Sequence, residues 1–186
     1  KILKHLKSGE ENLALNFMQK ALGALSFLLI LSSLVGIVFA PEITTLLFER
    51  GNFGSQDTQV TAFVLMAYLL GLLPFGLQKL LSLWLYAKFK QKIAAIIAFK
   101  ALGISASFSI IFILLIENAE FKAIGIALAS SLSAFYLLGA NIKEFGYKAF
   151  FSLINVKKTL FGLLFLVFLG FVLLEFKAKI MPLVMG

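Results

Sequence analysis

The sequence holds no cysteine and a single histidine, His5, in 186 residues. Without thiols there are no disulfides, no thiol nucleophiles and no cysteine-ligated metals. His5 sits among lysines near the start and reads as part of a solvated terminus rather than a ligand. Charge is also scarce. Charged residues make up 14% and hydrophobic residues 61%, against about 25% and about 45–50% in an ordinary soluble domain. So few charges cannot cover the surface of a soluble monomer of this size. The apolar surplus equally excludes disorder. The nine carboxylates are Glu10, Glu11, Glu42, Glu49, Asp57, Glu117, Glu120, Glu144 and Glu175, all in loops or at the edges of apolar runs. They form no acid–base pair in sequence, and there is no His–Glu metal motif and no phosphate-binding glycine loop. Nothing here marks an enzyme.

What is present is long, charge-poor apolar sequence. A bilayer-spanning helix needs about 20 apolar residues. Residues 21–40, 58–78, 93–116 and 123–142 meet that length, and the second run continues past Lys79 to residue 87. Residues 159–174 form a shorter fifth run, which flanking lysines can extend by snorkelling. Residues 180–186 are apolar but short, and read as the start of a sixth helix. No segment alternates strictly, so a β-barrel is disfavoured. The fold class is therefore all-α: a polytopic membrane protein of about five spans. Residues 1–20 form a lead-in, 21–142 four spans, 143–158 a linker and 159–186 a further span. The first residue is Lys and no signal peptide precedes the first run, so the chain reads as a fragment.

The basic residues assign the sides. Lys1, Lys4, Lys7, Lys20, Lys88, Lys90, Lys92, Lys143, Lys148, Lys157 and Lys158 fall on one side of the alternating crossings. Arg50, Lys122, Lys177 and Lys179 fall on the other. Eleven against four places the N-terminus in the cytoplasm and the 41–57 loop outside. The net charge of +8 is thus a membrane signature, and no nucleic acid is expected.

Two lysines lie inside spans. Around Lys79, a helical projection gathers Thr61, Tyr68, Gly71, Phe75, Gln78, Ser82 and Tyr86 within roughly a 100° arc. Gly71, Pro74 and Gly76 invite a kink midway. This stripe either lines a water-accessible cavity or packs inside a bundle with Lys79 reaching the headgroups. Lys100 shares a face with Gly103 and Ser107 and poses the same alternative. Ser105 and Ser109 lie opposite and are expected to bond their own backbone or a neighbouring helix. Gly125, Ala129 and Ser133, one turn apart, predict a close-packing face.

The segment Leu46-Leu47-Phe48-Glu49-Arg50-Gly51-Asn52-Phe53, then Asp57-Thr58 and Thr61-Ala62, is distinctive. It is followed by Tyr68, Gly71-Leu72, Pro74-Phe75-Gly76-Leu77, Lys79-Leu80-Leu81-Ser82 and Tyr86-Ala87. Together these resemble the bacterial lipid II flippase family MurJ (MviN), of the MOP transporter superfamily. Residues 123–131 are similar to a later small-residue segment of that family. The resemblance is specific over 46–87, extends over about 2–142, and rests on hydropathy alone beyond Glu144.

The resemblance implies a C-terminal part of a fourteen-helix transporter, from the ninth to the thirteenth helix, in the bacterial inner membrane. The partners it implies are the bilayer, the N-terminal helices of the same protein, and lipid II, the undecaprenyl-pyrophosphate-linked peptidoglycan precursor. Such proteins move that lipid from the inner to the outer leaflet by alternating access. Lys79, Gln78, Ser82 and Lys100 become substrate-cavity candidates. Glu49, Arg50 and Asp57 become candidates for a periplasmic gate, the alternative being a loop-stabilising turn with Gly51 at positive φ. No cofactor is implied, with sodium or the membrane potential as the driving force. A sodium site of the family maps onto Ser105, Ser109, the Ile126 carbonyl and Ser130, where hydroxyls replace an Asn and an Asp and leave at most a weak site. Another MOP-type exporter, of drugs or polysaccharides, or a structural membrane subunit stay open on residues alone.

Overall fold

A computed structural model describes residues 10–185, apart from the side chains of Glu120, Val156 and 180–185. Lys1, Lys4, His5 and Lys7 lie outside the described residues. The helices are α1 (Glu11–Val38), α2 (Ala40–Phe48), α3 (Ser55–Leu70), α4 (Leu72–Ala87), α5 (Gln91–Leu115), α6 (Lys122–Phe145), α7 (Tyr147–Ser152) and α8 (Val156–Met185), with a 3₁₀ turn at Ala119–Phe121. Five stretches among the described residues are long and apolar enough to cross a membrane: Glu11–Val38, Ser55–Ala87, Gln91–Leu115, Lys122–Phe145 and Lys157–Lys179.

Helix bounds run past the charge-free runs for identifiable reasons. α1 starts ten residues early because Ala14 and Met18 are buried while Glu11, Asn12, Asn16 and Lys20 turn outward. The first connection is mostly helical. Pro41 lies in the first turn of α2, where a missing N–H breaks no helical bond. The apolar tail after 180 continues α8 to Met185, so the expected sixth helix is instead the end of the fifth span.

The second span breaks at Gly71. Pro74 has no N–H for the turn before it, and it falls in the first turn of α4, where none is needed. The break frees carbonyls, which is costly in lipid unless neighbours take them up. Two do. Ser131 Oγ of α6 donates to the Ala67 carbonyl, and Ser33 Oγ of α1 donates to the Leu69 carbonyl at 3.0 Å.

α6 sits centrally, packed on α3, α4 and α5. Its small face does what its spacing predicts. Gly125, Ala127, Ala129, Ser131, Ser133 and Ala134 are all buried. A Cβ on Gly71 would lie 2.6 Å from Ser131 Oγ and 2.8 Å from Ser131 Cα, so the backbones meet there. A larger apolar cluster joins α1, α4 and α7 through Met18, Leu22, Leu77, Leu81, Trp84 and Phe150. Trp84 meets Phe145 edge-on at 5.1 Å. α8 packs chiefly along α1, and its outer face leaves Phe161, Phe168 and Phe171 more than half exposed.

Ion pairs between elements respect the alternation of ends. Lys88 Nζ is 2.7 Å from Glu11, and Lys90 Nζ is 3.7 Å from Glu144. At the opposite end, Lys177 Nζ is 2.9 Å from Glu42. Each pair joins groups that the crossing pattern puts on the same side.

Candidate functional site

The break at Gly71 and the packing of α6 divide the polar stripe of the second span. Gly71 and Gln78 are buried, and Ser82 is half-buried. Ser82 Oγ lies 3.0 Å from Gln78 Oε1 and 3.2 Å from Asn141 Oδ1 on α6. Asn141 Nδ2 donates to the Leu137 carbonyl at 2.8 Å. Ser82 thus bridges α4 to α6 of the same chain, while Gln78, buried, is bonded through its Oε1 to Ser82 on its own helix. Asn141, 1% exposed, completes this cluster. Sequence reading passes it over because a lone Asn near the end of a span carries no pattern.

Tyr68, Phe75, Lys79 and Tyr86 occupy the other side of the stripe, and all four are exposed. Lys79 Nζ lies 5.7 Å from the Phe75 ring centroid, in a cation–π position. Lys79 is eight residues before the end of α4, about 12 Å of helix rise, and Lys100 is nine residues into α5, about 14 Å. The two ammonium-bearing residues therefore enter consecutive spans from the lysine-rich end to similar depths. Lys100 is exposed and lines a shallow groove with Gly103, Ser107, Phe108 and Tyr136.

The 49–57 turn is built by local bonds. Gly51 takes φ +59°, the left-handed conformation expected of it. Phe53 N–H donates to the Arg50 carbonyl at 3.0 Å, and the Phe48 and Phe53 rings lie 6.2 Å apart. Asp57 accepts the Gly54 N–H at 3.0 Å at the start of α3. Arg50 reaches the Leu46 carbonyl at 3.5 Å. Among the described residues no ion pair joins Arg50 to Glu49 or Asp57. The structure keeps the three residues in one exposed turn without linking their charges.

The residues mapped to a sodium site bring only neutral oxygens. Ser130 Oγ donates to the Ile126 carbonyl at 3.2 Å, so two of the four expected donors satisfy each other within α6. Ser105 and Ser109 are half-buried on α5. Among the described residues no three His, Cys, Asp or Glu side chains converge as cation ligands. This donor set offers a cation neutral oxygens only, without the carboxylate charge that strengthens cation binding.

The family profile described as lipid II flippase MurJ matches residues 1–185. The chain belongs to the MurJ family. A probable lipid II flippase MurJ of Helicobacter pylori strain J99 is 46% identical over 163 residues, 87% of this chain and 34% of that protein. A lipid II flippase MurJ of Thermosipho africanus is 32% identical over 126 residues, 65% of this chain and 25% of that protein. A probable lipid II flippase MurJ of Rickettsia prowazekii is 36% identical over 103 residues, 55% of this chain and 19% of that protein. The chain thus spans about a third of the length of the Helicobacter relative. No solved structure matches it. MurJ membership reaches well past Glu144, where sequence motifs stop and only hydropathy continues. It makes the chain a multi-pass membrane segment of a transporter family.

Proposed function

We propose that this chain forms part of a lipid II flippase that carries the undecaprenyl-pyrophosphate-linked peptidoglycan precursor from the inner to the outer leaflet by alternating access. Membership of the MurJ family supports the substrate class. The observation that carries the role of these helices is the exposed Lys79 on a face that the rest of the chain leaves open. An ammonium about 12 Å along a span does not face hydrocarbon cheaply. It fits a wall turned toward a wet cavity, with the earlier helices of the protein opposite. Lys79 and Lys100 then raise the positive potential where an anionic pyrophosphate enters. Phe75, beside Lys79, gives the same wall an apolar surface for the lipid part.

In this reading the lysine-rich end is cytoplasmic, and the 41–57 turn lies on the periplasmic side, where Glu49, Arg50 and Asp57 flank the outer opening. Ser82, bonded to Asn141, holds α4 on α6 and keeps the Lys79 face in register. The test is Lys79→Gln with Lys100→Gln in the complete protein. A charge-assisted contact to phosphate is worth about 1.5–3 kcal/mol. The double variant is therefore expected to slow lipid II translocation at least tenfold and to fail to support growth when it replaces the chromosomal copy. Normal growth and translocation with both lysines replaced would sink the assignment.

A further inference from the structure

A cavity of about 570 Å³ opens between α1, α4, α7 and α8. Its lining is graded. Lys20, Lys158 and Asn155 stand at one end, while Phe27, Leu77 and Leu166 form the deeper wall. The polar end lies at the lysine-rich side of the membrane. Both ammonium groups are exposed, and neither has an ion-pair partner among the described residues. Gly23 and Gly162 face each other's helices with open space, since a Cβ on either would meet nothing within 4 Å. The lining runs along α1 from Lys20 to Ile30. Ten residues of helix rise about 15 Å, half of a hydrocarbon core of about 30 Å.

A groove one leaflet deep, apolar inside and doubly basic at the headgroup level, matches one class of occupant. It must be an amphiphile with an anionic head, and the surrounding leaflet supplies such molecules. The unpaired lysines at its end select the anionic head.

We propose that the groove holds an anionic glycerophospholipid of the lysine-rich leaflet. Its phosphate lies between Lys20 and Lys158, and one acyl chain lies along Gly23, Phe27 and Leu166. The occupant is a resident lipid, and the inference needs only that the chain spans a membrane. It does not rest on the flippase reading. The lipid also has a mechanical role. α8 touches the bundle chiefly through α1, and a chain in the groove fills the wedge between α8 and the α4–α7 cluster.

The test uses the complete protein purified in mild detergent. Phosphatidylglycerol and phosphatidylethanolamine with the same acyl chains are added separately, and retained lipids are counted by native mass spectrometry. A lysine near an anionic headgroup is worth about fivefold in binding, so retention of phosphatidylglycerol is expected to exceed that of phosphatidylethanolamine about thirtyfold. Lys20→Gln with Lys158→Gln, two exposed positions that leave the fold intact, is expected to abolish the preference. Gly162→Phe, which enters open space, is expected to exclude both lipids. Equal retention of the two headgroups overturns the proposal, as does a preference unchanged in the lysine variant. Failure to retain any lipid overturns it too, since another segment of the complete protein would then fill the groove. Lipid retention unchanged by Gly162→Phe refutes the placement of the chain.

Discussion

At the scale of single residues, the most consequential contact is Lys177 with the joint between α1 and α2. Its ammonium donates to the Val38 carbonyl at 2.6 Å and to Glu42 Oε2 at 3.1 Å. One cation thereby caps the C-terminal end of α1, neutralises the first-turn acid of α2 and anchors α8. Both side chains are mostly buried, at 27% and 17% exposure. Such a pair lies between an exposed ion pair, worth under about 1 kcal/mol, and a buried one, whose disruption costs about 3–5 kcal/mol. Lys177→Met is expected to destabilise the protein by about 1–3 kcal/mol and lower its melting temperature in detergent by several degrees. Glu42→Gln, which leaves the Val38 bond in place, should cost less. Equal melting temperatures for the wild type and both variants would refute this. In the sequence, Lys177 counted only as one of four basic groups on the sparser side. Nothing in spacing pairs residues 135 positions apart. The same holds for Gln78, Ser82 and Asn141. Their polarity was visible, and the direction they face was not, because facing depends on which neighbour covers the helix.

At the scale of elements, the sequence was most readable where glycine and small residues recur at helical spacing. The face of α6 and the interruption near Gly71 both follow from the residue types. The helix ends followed less well, because charge-free runs report hydrocarbon depth while helices continue into the headgroup region, as α1 does from Glu11. Close approach makes a graded prediction. Gly71→Ala forces a methyl against the Ser131 backbone, and Gly125→Ala forces one to 2.7 Å from Phe112 Cβ. Overpacking of this kind costs about 1–3 kcal/mol. Gly139→Ala meets nothing within 4 Å and gains helix propensity, up to about 1 kcal/mol. Thermal unfolding of the three variants should therefore rank Gly139→Ala at or above wild type and the other two below it. A destabilised Gly139→Ala beside an unaffected Gly71→Ala would contradict the packing described for α6.

At the scale of the whole molecule, orientation and the open face are tested together, and the absence of native cysteine makes single-cysteine labelling direct. A membrane-impermeant thiol reagent applied from outside intact cells should modify Ser55→Cys and leave Gln91→Cys untouched. Within the span, Tyr68→Cys should react with a small water-soluble reagent, whereas Gln78→Cys, at a buried position, should be protected. Reaction at Gln91→Cys from outside would invert the topology, and protection of Tyr68→Cys would make its face a packing surface. The number of spans was legible in the apolar runs, while the division of the stripe needed three dimensions. The two serines at the Gly71 break carry a last consequence. Ser33 reaches it from α1 and Ser131 from α6, so three spans share one keystone. Sliding α1 past α6 pulls at least one hydroxyl from its carbonyl. Large excursions of this bundle are therefore carried by the three spans as a block.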